Sequence, residues 1–388
     1  LKKAFTIISI SSLLLLSSCI ERYYPDEDQV QAGMLVISAH LDDKPGPQWI
    51  HVSRSISLIK TVPDPLEACY IEVEREDGEV RVFDDLGSGQ YMADLDASFL
   101  KRGKAYRTLI ITPEGKSYES EFEILHPSPD LEDVYYEIEE RPSWDPAHTE
   151  QGIRFYTDFE IENDSGRYLR WELVETYEQH NPDFETRMYG TDRRWYPLRA
   201  SDKILTCWIT ADIPVIYTQD IGNVSGETYR MLPLNFVSGQ TKRLHHGYSL
   251  LVRQLSLSEK AFWYWNELAK NVQSGGSLFD KQPALTPSNI CSLDEPGEQV
   301  IGYFSISGVS EKRIFVENVP GLDLFVDPYF CAPQSPPPMF LWNYPSENLP
   351  LYVASATILG RYEVGEVRDE CVDCRLYKGS TNIKPDFW

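Results

Sequence analysis

The chain has 388 residues, enough for two or three domains that each bury a core. Its 60 acidic residues against 36 Lys and Arg give a net charge of −24, which repels nucleic acid and argues against a phosphate-binding role. Past the first residues no run is long and apolar enough to cross a bilayer as a helix. Abundant Tyr, frequent Trp and constant punctuation by Pro and Gly favour β structure.

The N-terminal stretch reads as a secretory signal. Lys2 and Lys3 precede a short apolar run, Ala4 to Leu16, that ends in Leu16-Ser17-Ser18-Cys19. An aliphatic residue, two small ones and a cysteine form a lipobox, so residues 1–18 are expected to be removed and Cys19 acylated. Residues 19–32 then form an acidic tether. Ile20, where an Asp would signal retention at the inner membrane, favours the outer membrane; which face it reaches stays open.

Residues 33–125 are expected to form an Ig-like or transthyretin-like β-sandwich. Strand-like runs flank the turns at Asp43-Lys44-Pro45-Gly46, Asp77-Gly78 and Pro113-Glu114-Gly115. Cys69, Ile71 and Val73 share one face. In the last strand, period-2 alternation places Tyr118, Phe122 and Ile124 inward and Glu119, Glu121 and Glu123 in water. Residues 126–130, with two prolines, read as a linker.

Residues 131–388 are expected to form a larger antiparallel β domain with one inserted helix. Ile153, Phe155, Phe159 and Ile161 alternate inward, as do Leu169, Trp171 and Leu173. The Asp164-Ser165-Gly166 turn between them predicts a tight hairpin. Further strands are expected at Lys203–Tyr217, Tyr248–Leu255, Val300–Ser307, Arg313–Val319 and Tyr352–Leu359. Ser256-Leu-Ser-Glu259 reads as a capping box for a helix near 257–272 that ends at Ser274-Gly275-Gly276 and gathers Phe262, Trp265 and Leu268 on one face. Pro336 to Pro338 mark an extended loop.

Six cysteines follow Cys19. The Cys371-Val-Asp-Cys374 motif lacks the second close pair of a zinc ribbon, and too little chain follows it for a thioredoxin-type helix. An exported chain meets oxidants, so structural disulfides are expected among Cys207, Cys291, Cys331, Cys371 and Cys374. Sequence does not fix their pairing. Our working expectation is that Cys371 or Cys374 reaches Cys331, while Cys69 stays a buried thiol.

Catalytic signals are sparse. No nucleophile elbow, zinc-protease helix or phosphate loop is present, and no cofactor or metal site is implied. His245-His246, placed on a strand, would point to opposite faces. The acid pairs Asp323/Asp327 and Glu132/Asp133 lack the spacing of a calcium loop.

Several features together resemble the family catalogued as domain of unknown function 4249, lipoproteins of the Bacteroidota. They are Leu16-Ser-Ser-Cys19, the Glu67 to Glu74 strand with its Asp77-Gly78 turn, and Gly89-Gln-Tyr91. Further on they include "SLSEKAFWYWNELAKN", Gly276 to Asp280, Ser288-Asn-Ile290, Gly302-Tyr-Phe304 and the tail from Cys371 to Trp388. The resemblance implies a β-rich outer-membrane lipoprotein, often associated with TonB-dependent transport, and carries no catalytic residue. The leading expectation is a non-enzymatic binding or accessory protein. It would be anchored in outer-membrane lipid through Cys19 and partnered with a TonB-dependent transporter, with a glycan or peptide as ligand. A surface hydrolase acting on glycans or peptides, or a structural or adhesive envelope protein, is the alternative.

Overall fold

The computed structural model describes residues 33–56, 64–143, 148–161, 166–190, 192–222, 228–273, 286–325, 327–334, 345 and 350–388. The signal segment, Cys19 and its tether lie outside these residues, as do Gly276 to Asp280 and the loop at Pro336 to Pro338. The fold is mainly β.

The first sandwich is one continuous sheet curled around a single core. Alternation drives it: Leu35, Ile37, Ala39 and Leu41 of strand Leu35–Asp42 are buried, as are Ile71 and Val73 of strand Tyr70–Arg75. The hairpin at Asp77-Gly78 forms as expected, with Gly78 at φ 86°. Its two outermost strands come from far along the chain. Val300–Ser307 lies parallel to Leu35–Asp42, and Ile290–Ser292 pairs with Ser117–Ser120. Ile290, Val300, Phe304 and Ile306 thus complete a core that residues 33–125 leave unfinished.

The last stretch of that region departs from the expected alternation. Tyr118 is buried, but Phe122 and Ile124 are exposed and Glu123 is inside. The strand breaks after Ser120 and resumes at Glu123–Ile124, so the phase inverts across the gap. The Glu123 carboxylate accepts from the Tyr303 hydroxyl at 2.7 Å and the Asn289 amide at 3.2 Å. Burial holds it above the usual carboxylate range.

In the second sandwich the sheet of Leu131–Pro142, Thr149–Glu160 and Thr228–Ser238 faces one centred on Tyr168–His180 and Tyr248–Leu257. The expected hairpin across Asp164-Ser165-Gly166 does not form: Thr149–Glu160 and Tyr168–His180 lie in opposite sheets. Their inward residues meet across the core instead, with Phe159 and Trp171 ring centroids 5.8 Å apart. Alternation reports which side chains face inward; it does not report which sheet carries the strand.

Residues 126–130 are bonded into this second body. Gln254 donates to the Pro129 carbonyl at 2.7 Å and accepts from the Trp171 indole N–H at 3.1 Å. Gly308 alone joins strands Val300–Ser307 and Val309–Val316, which belong to different sheets. Helix Glu259–Gln273 packs Phe262 and Trp265 against Tyr168, Leu257 and Tyr303. Its cap is Ser258, whose hydroxyl accepts from the Ala261 N–H at 3.1 Å. Ser256 is not the cap; it is buried and accepts from the Gly308 N–H at 3.1 Å.

A small sheet of Glu185–Tyr189, Trp195–Pro197, Tyr352–Ile358 and Arg361–Val367 covers one end, over a minor core that contains Cys331, Cys371 and Val372.

Candidate functional site

Two disulfides leave the tail in different directions. Cys371 bonds Cys331, 40 residues away, and Cys374 bonds Cys207. The Cys-x-x-Cys motif is therefore a two-headed clamp. Cys291 takes no part: it is a free, exposed thiol on an edge strand, where Ile290 and Ser292 take the inward positions. Cys69 is also free, and buried.

The clamp flanks a cavity of about 400 Å³. One wall is the end of strand Tyr168–His180, where Gln179 stands opposite Cys207. There Gln179 donates to Asn181 at 3.1 Å, and Asn181 donates to the Glu370 carbonyl at 2.7 Å, so both amides are committed to holding the tail. A second wall is the 3-10 turn Lys242–Leu244, anchored by buried Leu244. The His245 N–H donates to the Lys242 carbonyl at 3.1 Å and continues the turn. This curvature brings Lys242, His245 and His246 onto one cavity, not opposite faces as a strand would require. The third wall is Asp327, Pro328 and Phe330, adjoining disulfide-bonded Cys331. Phe184 and Ile358 add apolar surface.

Three of the chain's seven histidines line this cavity. His180 and His246 stack with centroids 3.8 Å apart, and His180 Nε2 is 2.5 Å from Glu178 Oε1. Burial, with His180 alongside, lowers the pKa of His246. His245 Nε2 is buried with no hydrogen-bond partner among the described residues. Lys242 is half-buried against the Phe330 ring, and no carboxylate lies within ion-pair distance among the described residues. Burial brings its pKa down to about 8, with Arg368 acting the same way and Asp327 opposing. Arg243 is unavailable, since Glu175 pairs with it at 3.1 Å. An unpaired ammonium and an orphaned imidazole nitrogen between aromatic walls favour an anion with an apolar body.

A second cavity, of about 390 Å³, lies beside the helix, with Trp263, Tyr264, Glu121 and Glu267 on its lining. Both carboxylates are occupied: Lys260 pairs with Glu121, and Lys270 with Glu267 at 2.6 Å. Neither is arranged as a free acid or base. The acid pairs read from sequence are also committed or exposed. Arg230 holds Glu132 at 2.9 Å, Lys312 holds Asp133 at 3.3 Å, and Asp323 and Asp327 are exposed. Among the described residues no three His, Cys, Asp or Glu side chains are grouped to hold a metal ion.

The family described as Domain of unknown function (DUF4249) matches residues 20–313. The chain belongs to this family. The DUF4249 match takes in the walls at Gln179–Phe184 and Lys242–His246, while the Asp327–Phe330 wall and three of the four bonded cysteines lie beyond it. No curated protein matches the chain. Among solved structures, trypsin-activated alpha-2-macroglobulin from Escherichia coli is similar at 11% identity over 59% of this chain, with a TM-score of 0.20; the match spans 15% of that protein's chain. The partial N-terminal region of an enterococcal surface protein is similar at 9% identity over 60% of this chain and 93% of that one, with a TM-score of 0.15. At such scores neither likeness bears on fold or function.

Proposed function

We propose that this chain is a non-enzymatic binding protein of the outer membrane, anchored by a lipid on Cys19, that captures a small amphipathic ligand for a TonB-dependent transporter. The carrying observation is the preformed cavity around Lys242, with aromatic walls and, among the described residues, no carboxylate within ion-pair distance of that cation. The lipobox Leu16-Ser-Ser-Cys19 and the resemblance to lipoproteins associated with such transporters supply the location and the partner. The lysine pairings of Glu121 and Glu267 weigh against a carboxylate-driven hydrolase at the aromatic cavity beside the helix.

The test is recovery of the tagged full chain from gently solubilised outer membrane, with mass analysis of its N-terminal peptide. We expect acylated Cys19 and a co-purifying transporter subunit. Recovery of an unmodified Cys19, or of the lipoprotein with no transporter component, would count against the reading.

A further inference from the structure

We propose that the cavity between Lys242, His245, Phe184 and Phe330 binds an organic carboxylate with an apolar body, the carboxylate pairing with Lys242 Nζ. This rests on the reading of the chain as a capture protein and names the class of ligand it captures.

The cavity leaves polar groups unsatisfied. Half-buried lysines are ordinarily paired, because an ammonium removed from water without a counter-ion is costly. Among the described residues Lys242 meets the face of Phe330 and has no carboxylate within ion-pair distance; exposed Asp327 acts on it from farther off, and its Oδ1 accepts the Tyr329 N–H at 2.9 Å. His245 Nε2, on the same lining, has no partner among the described residues. Three of the other polar groups there are already engaged, and His246 stacks on His180. Gln179 and Asn181 bond one another and the tail, and His180 bonds Glu178. A ligand therefore meets one ammonium beside the His245 and His246 rings, which suits a group with a single negative charge.

The alternatives fit less well. A phosphate group asks for a second cation on the lining, a helix N-terminus or a nest of backbone N–H groups; Arg243 is held by Glu175, and Arg368, though close enough to act on Lys242, is not on the lining. A chain with net charge −24 also resists multivalent anions at long range. A neutral sugar would leave the ammonium uncompensated and would set hydroxyls against Phe184, Phe330 and Ile358. The volume, about 400 Å³, admits an aromatic or branched aliphatic body. A free acid and the C-terminal residue of a peptide present the same chemistry, and the experiment separates them.

Calorimetry on the full chain in detergent would compare 3-phenylpropionate with 3-phenylpropionamide. A parallel arm would compare a short peptide ending in Phe with its C-terminally amidated form. The acid is expected to bind about tenfold more tightly than its amide, equivalent to about 1.4 kcal/mol. Lys242→Met should abolish that preference. Lys242→Arg, which keeps the charge, should retain part of it. The preference should also fade as pH rises above about 8, where Lys242 loses its proton. A response confined to the peptide pair identifies peptide termini as the source of the carboxylate; a response confined to the small acids identifies free acids.

Equal affinity of acid and amide, or a preference that survives Lys242→Met in a folded variant, would overturn the proposal while leaving ligand capture intact. Failure of all four compounds to bind would overturn it as well. Coupled with a chain that recovers no transporter, that failure would also remove the wider reading.

Discussion

Gly308 is a single residue that carries the chain from one sheet to another, and the space around it explains its identity. A Cβ there would lie 2.4 Å from the His126 carbonyl oxygen and 2.8 Å from the Ser128 nitrogen, both backbone atoms that cannot swing aside. Gly308→Ala should therefore cost about 1–3 kcal/mol in chemical denaturation. A neutral result would mean that residues 126–128 yield more readily than their hydrogen bonds indicate. Glu123 makes a prediction of opposite sign. Its folded pKa lies above its unfolded value, because burial opposes its charge. That contribution to stability is present in acid and is lost as pH rises through the folded pKa. Glu123→Gln, which keeps an acceptor for Tyr303, should raise the melting temperature above neutrality and make little difference in acid. A melting temperature lowered equally at both pH values would show that the carboxylate is a needed acceptor and not a burdened charge.

Among the elements, the tail and its two disulfides have the clearest consequence. Cys371 holds the loop that carries Phe330, and Cys374 holds Cys207, which stands opposite Gln179 on the cavity's other wall. Two adjoining short turns, Asp369–Val372 and Cys374–Leu376, thereby tie together two walls that come from distant parts of the chain. Cys331→Ser should cost about 3–4 kcal/mol from the lost crosslink. It should also weaken ligand binding in protein that is still folded, because Phe330 loses its tether. Unchanged affinity in a folded, destabilised Cys331→Ser protein would separate the clamp from the site.

At the scale of the molecule, the first sandwich is assembled from two separated parts of the chain. Strand Leu35–Asp42 would present an open edge without Val300–Ser307, and Ile290, Phe304 and Ile306 would be missing from its core. A fragment of residues 33–130 should accordingly remain poorly structured by circular dichroism and prone to association. Adding a peptide of residues 286–308 should restore β signal. A fragment that folds cooperatively by itself would contradict this dependence. The return of the chain also couples the two bodies, with the Asp43 carboxylate accepting from the Val309 N–H at 2.9 Å.

Periodicity and turn chemistry by themselves determined the class of fold, most strand positions, the helix and the hairpin at Asp77-Gly78, because these depend on neighbours within a few residues. The expected export signal and the flanks of Cys371-x-x-Cys374 likewise pointed to disulfides over metal or redox chemistry, without fixing their pairing. Tertiary structure alone decided matters that depend on distant contacts: the opposite sheets of Thr149–Glu160 and Tyr168–His180, the inward turn of Glu123, and the role of Val300–Ser307 in the first core. The cavity belongs to this second group. Lys242, His180 and Phe330 are far apart in sequence and carry no shared spacing, and the setting of Lys242 against the Phe330 ring is a property of three-dimensional surroundings. Local patterns encode which way a side chain faces; only the folded chain fixes what it meets there.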